Sequence, residues 1–170
     1  MLFKPFTFPN GTTAKNRFFK SAMEEQLAID NQPTQALVNL YCTWAKGGAG
    51  VLVTGNVMVS PNGKGSVGDV VVSDDRSLPM LKAWADAGKT AGTLMIMQIN
   101  HAGKQSPKVV NREPVAPSAV HLSEWTVLSI RHELCKRLKL NKLLANSSRP
   151  PKSPNKQDLA VCKFTPHTVI

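Results

Sequence analysis

The chain has 170 residues, 42% of them apolar, and a formal charge of +10, which fits one domain with a core of ordinary size. No stretch reaches the roughly eighteen apolar residues of a membrane span, and MLFKPFTFPN lacks the basic segment and apolar run of a secretory signal. The expected location is therefore cytoplasmic, and Cys42, Cys135 and Cys162, at no metal or redox spacing, are read as free thiols.

The charge is not evenly spread. Residues 1–120 hold 12 Lys and Arg against 8 Asp and Glu and all 11 glycines, whereas residues 121–170 hold 9 against 3 and no glycine. Two segments follow from this, a first part over 1–120 and a basic tail over 121–170. The net charge, which by itself would point to nucleic acid or an anionic membrane, is weighted toward the tail.

In the first part, FTFPNGTTAKNRF places two apolar stretches around Pro9-Asn10-Gly11, which predicts an N-terminal hairpin. RFFKSAM, residues 17–23, is short and apolar, as a buried strand would be. A helix should follow with Pro33 at its first position, because Leu37, Leu40, Tyr41 and Trp44 recur at helical steps, and Gly47-Gly48 should stop it. VLVTGNV, residues 51–57, is apolar without alternation, the pattern of a parallel strand covered on both faces. After a Gly- and Ser-rich loop, Ser77 is positioned to cap a second helix whose Leu81, Trp84, Ala85 and Gly88 share a face, with Gly92 ending it. LMIMQI, residues 94–99, should be a third buried strand.

Strand and helix in alternation imply a parallel sheet with crossover connections. No G-x-G-x-x-G turn follows any strand, so a barrel is favoured over a dinucleotide-binding sheet. The fold class is thus α/β, the N-terminal portion of a (β/α)8 TIM barrel: a hairpin and about three strand-helix units. Ligand chemistry in such barrels gathers at the carboxyl ends of the strands. Here those ends are Ser21-Ala22-Met23-Glu24, Thr54-Gly55-Asn56 and Gln98-Ile99-Asn100-His101. Small residues beside an amide that both donates and accepts suit a planar heterocycle. The spacing equally fits Ser21, Ala22 and Gly55 kept small for packing and Gln98 capping its strand, and both readings stand at this point.

LFKPFTFPNGTTAKNRFFKSAM, then GGAGVLVTG, then QINHAGKQSP with PVAPSAV, resembles in order and spacing the N-terminal part of the old yellow enzyme family, over residues 1 to about 120. The resemblance implies FMN as cofactor, NAD(P)H as reductant, and an electron-poor alkene as the small-molecule partner, with no specific nucleic acid and no membrane. It places Ser21, Ala22 and Met23 beside the flavin ring, Gly55 on its pyrimidine side, and Gln98 on its carbonyl and imide edge. Glu24 stands where relatives carry Ser, Thr or Cys, so a carboxylate there would oppose negative charge on a reduced flavin. Lys104 replaces the family's usual Arg after HAG, losing a planar fork. His101 lies in this motif and is read as a structural hydrogen-bonding residue, not as a catalytic one.

The tail departs from the family. Codons can be chosen for QDLAVCKFTPHTVI, residues 157–170, so that a shifted frame spells AGFSGVQIHAAHGY, which resembles the family's fourth-strand segment with its H-x-x-H. The preceding IRHELCKRLKLNKLLANSSRPPKSPNK likewise yields NPPRALQEAEIEQIVGEFIQAAKVAKQ, which has the helical periodicity the encoded tail lacks. The expectation is a frame change near His121, leaving a chain that holds only part of a cofactor wall, exposes apolar surface, and is inactive as it stands. A non-functional gene remnant is one alternative. Another is a binding tail, with 131–144 a cationic amphipathic helix carrying Leu134, Leu138 and Leu140, and SSRPPKSPNK a disordered linker.

Overall fold

The computed structural model describes residues 1–117 and the backbone of two short strands, Glu133–Leu134 and Ala160–Cys162. The chain opens with the expected hairpin: β1 (Phe6–Thr7) and β2 (Thr13–Ala14) pair antiparallel, Phe6 opposite Ala14. Gly11 makes the reversal possible, since its φ of +83° is one that other residues seldom adopt.

The sheet that follows is parallel. β3 (Phe19–Lys20) pairs with β4 (Val51–Met58), and β4 pairs with β6 (Leu94–Asn100). The segment 17–23 is strand only at Phe19 and Lys20, and it is not buried: Phe19 is 56% and Met23 52% exposed. Apolar composition did not enforce burial because this strand has a single neighbour, β4. β4 has neighbours on both sides, and all its residues except Asn56 are buried. β6, expected to be buried, is half-buried, with only Met95 enclosed. The Gly- and Ser-rich loop contains an unanticipated strand, β5 (Val70–Val71), which pairs parallel with the end of β4.

Helix α1 (Gln35–Lys46) starts two residues later than the sequence implied. Pro33 lies buried ahead of the N-cap Thr34, whose hydroxyl donates to the Leu27 carbonyl at 2.8 Å instead of capping the helix. Gly47 caps the other end and Gly48, at φ +96°, turns the chain away. Helix α2 (Leu78–Gly88) has Ser77 at its N-cap, but the Ser77 hydroxyl donates to Gln32 Oε1 and makes no cap bond. The helix stops at Gly88, and a separate 3-10 turn, Thr90–Gly92, links it to β6.

The two helices pack on each other and on the sheet. Leu37, Tyr41 and Ala45 of α1 meet Leu81 and Trp84 of α2 over Leu52, Val57, Val70 and Met95. Full burial of each large apolar side chain contributes about 1.5–3 kcal/mol, so this cluster binds α1 and α2 to β4, β6 and the Val70 segment. The Tyr41 ring lies edge-on to Trp44 and Trp84, with centroids 4.9 and 5.2 Å away.

Two strands come from the basic tail. β7 (Val115–Ala116) pairs parallel with β8 (Glu133–Leu134), and β9 (Ala160–Cys162) extends the main sheet beside β6, with Gln98 opposite Cys162. Glu133 and Leu134 are therefore extended, and the helix expected over 131–144 is not formed at those two positions. The rest of that helix, the linker SSRPPKSPNK and the environment of Cys135 lie outside the described residues. Within the described residues no helix is long and apolar enough to cross a membrane.

Candidate functional site at the strand ends

The carboxyl ends of β3, β4 and β6 lie side by side because the strands are parallel, and the fold sets the segment after β3 against Gly55 and Asn56, with Gln98 paired to Asn56. Ser21, Met23 and Glu24 are exposed and Ala22 is half-buried, all just past β3. Gly55 is buried near the end of β4, and Gln98 is half-buried on β6. Gln98 and Asn56 are direct cross-strand partners.

The β4–β6 ladder is interrupted here. Val53 faces Ile96, yet Asn56 faces Gln98, so one extra residue is inserted at Thr54-Gly55. The Thr54 side chain repairs part of the gap, its Oγ1 accepting from the Gln98 N–H at 2.9 Å. The Gly55 N–H donates to Tyr41 Oη at 3.2 Å, and the Val53 carbonyl accepts from Lys20 Nζ at 3.1 Å. The strand-end polar groups are thus taken by side chains from β3, β4 and α1.

Lys20, Glu25 and Tyr41 form a compact cluster that the sequence reading did not single out. Lys20 Nζ and Glu25 Oε1 are 3.1 Å apart with side chains 16% and 6% exposed, and Tyr41 Oη donates to the same carboxylate oxygen at 2.7 Å. The ammonium also lies 4.1 Å from the centroid of Trp44. Burial, with the adjacent Glu25 carboxylate adding to it, holds the Tyr41 phenol far above its ordinary range. It stays a neutral donor. The available signal was a single Lys20 directly after the apolar pair Phe18-Phe19, which reads as a surface residue until α1 is seen to cover it.

Gly55 has no room for a side chain. A Cβ there would run into the Glu25 carboxylate and the Met23 carbonyl, so this glycine is small for close packing of the segment after β3. Glu24 is held by the rim itself, Asn56 Nδ2 donating to its Oε1 at 2.8 Å. Gln98 is different: its side-chain amide makes no hydrogen bond among the described residues, so the capping role considered from the sequence is not seen. That amide, beside Asn56 at the strand ends, offers a donor and an acceptor in one plane, the chemistry that pairs with the imide edge of a flavin. In that respect the residues fit FMN.

His101 follows β6. Its Nδ1 accepts from the Gly103 N–H at 3.1 Å, and its Nε2 is buried without a partner among the described residues. Burial lowers its pKa from the ordinary 6.5. The ring fills the space above Gly63, where a Cβ would collide with it, in keeping with a structural role. Lys104 is exposed. A small cleft behind Glu24, Glu25, Gly55 and Trp84 has about 10 Å³ for water-sized occupants, too little for a heterocycle.

Comparison with known proteins agrees with this architecture. The NADH-dependent flavin oxidoreductase iliE of Neonectria sp. (strain DH2) is 37% identical over 129 residues, 70% of this chain and 17% of that protein. The similarly described iliE of Hypocrea jecorina (strain QM6a) is 37% identical over 108 residues, 61% of this chain and 27% of its own. Among solved structures, the old yellow enzyme homologue from Zymomonas mobilis superposes with a TM-score of 0.74 at 25% identity, over 86% of this chain and 42% of that one. Morphinone reductase, at 20% identity and a TM-score of 0.74, shares the fold. The chain thus spans well under half of the relatives it matches. The model of the NADH:flavin oxidoreductase / NADH oxidase family matches residues 1–140, past the change in composition, and the chain belongs to that family.

Proposed function

We propose that this chain carries the flavin-facing rim of an FMN-dependent NAD(P)H oxidoreductase of the old yellow enzyme type, reducing an electron-poor alkene. FMN, when bound, supplies the hydride chemistry. The residues here supply placement: Gln98 pairs with the pyrimidine edge of the ring, Gly55 and the Ser21-Ala22-Met23 backbone form the wall beside it, and Glu24 places a carboxylate at the rim. The observation that carries this reading is the Gln98 side-chain amide, without a hydrogen-bond partner among the described residues, opposite Asn56 at the end of adjacent parallel strands. A cytoplasmic location is part of the proposal, supported by Cys42 as a free thiol.

Lys20, the cation at these strand ends, is taken up by Glu25 and the Val53 carbonyl, so in this reading the rim recognises the ring and not the phosphate. Titration of the chain with riboflavin and with FMN tests this. A ring-only site gives affinities in the range of about 0.1–1 mM, equivalent to about 4–5.5 kcal/mol, and equal within about twofold for the two ligands. Gln98→Ala should weaken both.

The tail carries its own proposal, that residues 121–170 are read out of frame. Its support is the absence of glycine, the basic composition and the family-like string in the shifted frame. Sequencing the gene decides it: downstream DNA that encodes no further strand-helix units in another frame removes the proposal. The binding-tail alternative would instead show salt-sensitive association with polyanions.

A further inference from the structure

The bulge in β4 needs an explanation beyond packing. Without the insertion Gly55 would stand opposite Gln98, and every β4 residue beyond it would slip by one, turning Asn56 to the opposite face of the sheet. Two side chains hold the bulged state. Tyr41 Oη takes the Gly55 N–H at 3.2 Å and Thr54 Oγ1 takes the Gln98 N–H at 2.9 Å. Tyr41 is fully buried on α1, its ring fixed between Trp44 and Trp84. Its hydroxyl is oriented by donation to Glu25, which Lys20 pairs, and Lys20 reaches on to the Val53 carbonyl. Each backbone group displaced at the insertion thus meets a side chain with little freedom to move.

We propose that Tyr41, oriented by Glu25 and Lys20, together with Thr54, are positioning residues that hold the β4 bulge and thereby keep Gln98 and Gly55 in place at the flavin-facing edge. The proposal rests on the flavin reading above. It explains why a helix residue reaches across to a strand backbone, and why a cation and a carboxylate are enclosed beside that contact. Bulges beside binding sites commonly re-aim a side chain, and Asn56, the cross-strand partner of Gln98, is the side chain re-aimed here.

The test uses the full chain with two readouts, amide hydrogen exchange at Gly55 and Gln98 and riboflavin affinity by titration. Tyr41→Phe keeps the ring and removes the hydroxyl. It should speed exchange at Gly55 about tenfold and weaken riboflavin about tenfold, an ordinary consequence of losing one such bond. Thr54→Val should do the same at Gln98, and Thr54→Ser, which retains the acceptor, should restore both. Ala45→Gly loosens α1 away from the bulge, so it should lower the denaturation midpoint and leave riboflavin affinity within about twofold of the parent. If Tyr41→Phe fails to fold, the Thr54 pair decides. Parent-like riboflavin affinity in Tyr41→Phe and Thr54→Val overturns the positioning role alone. A parent chain that binds no riboflavin overturns the flavin reading, and this inference with it.

Discussion

Asn100 Nδ2 donates to Asn56 Oδ1 at 2.9 Å, joining the ends of β6 and β4 side chain to side chain. The ladder continues in both directions: Asn56 Nδ2 donates to Glu24 at 2.8 Å, and Asn100 Oδ1 accepts from the His101 N–H at 2.8 Å. Three strand ends are thereby tied across the rim. Asn56→Ala removes the middle rung and should lower unfolding free energy by about 1 kcal/mol, measured by urea denaturation. An unchanged midpoint would mean the ladder is incidental.

Lys20 and Glu25 should be energetically coupled. Removing one partner leaves the other's charge buried without its counter-charge, a loss of about 3–5 kcal/mol for enclosed pairs. Lys20→Met and Glu25→Gln should each destabilise strongly, while the double variant should lose less than the sum of the two. Chemical denaturation of the four proteins gives the cycle, and strict additivity would contradict the coupling.

Gly55→Ala should destabilise by about 1–3 kcal/mol, because the added methyl meets the Met23 carbonyl and Glu25 carboxylate rather than empty space. Thermal unfolding reads this directly. A neutral result would show that the segment after β3 can move aside freely.

Stability should fall in mild acid through His101. Its folded pKa is depressed by burial below the ordinary 6.5, so the unfolded chain takes up the proton first. The stability it contributes is complete above 6.5 and is lost as pH falls below that value through the depressed folded pKa. Protonation at Nδ1 also ends its acceptance of the Gly103 N–H. Urea midpoints at pH 7.5 and 5.5, compared between the parent and His101→Gln, should show a smaller acid loss in the variant. Equal losses would assign the effect elsewhere.

Much of the architecture was legible because its signals are local. The Pro9-Asn10-Gly11 turn, the helical spacing of Leu37 and Tyr41, and the uninterrupted apolar run of β4 each specify an element without reference to the rest of the chain. What escaped depended on distant partners. β5 is too short to stand out and exists because Val57 and Met58 offer it a ladder. Phe19 is exposed because its strand has one neighbour, a property of topology and not of composition. Pro33 could not be distinguished from a first helical residue without knowing that Thr34 is held by Leu27. At the site, the strand ends were placed by their order in the chain. The Lys20–Glu25–Tyr41 cluster was not, since its members come from three segments that meet only when α1 packs on the sheet. β9 pairs beside β6 although nothing in its residues reads as a strand-turn rhythm.

If the Gln98 amide receives a flavin ring, its side-chain NH2 resonances are the signals that must respond. On titration with riboflavin those two signals should shift in a saturable way, together with the Gly55 amide, and FMN should give the same shifts at similar concentrations. Gln98 signals that remain fixed while riboflavin binds elsewhere on the chain would contradict the claim.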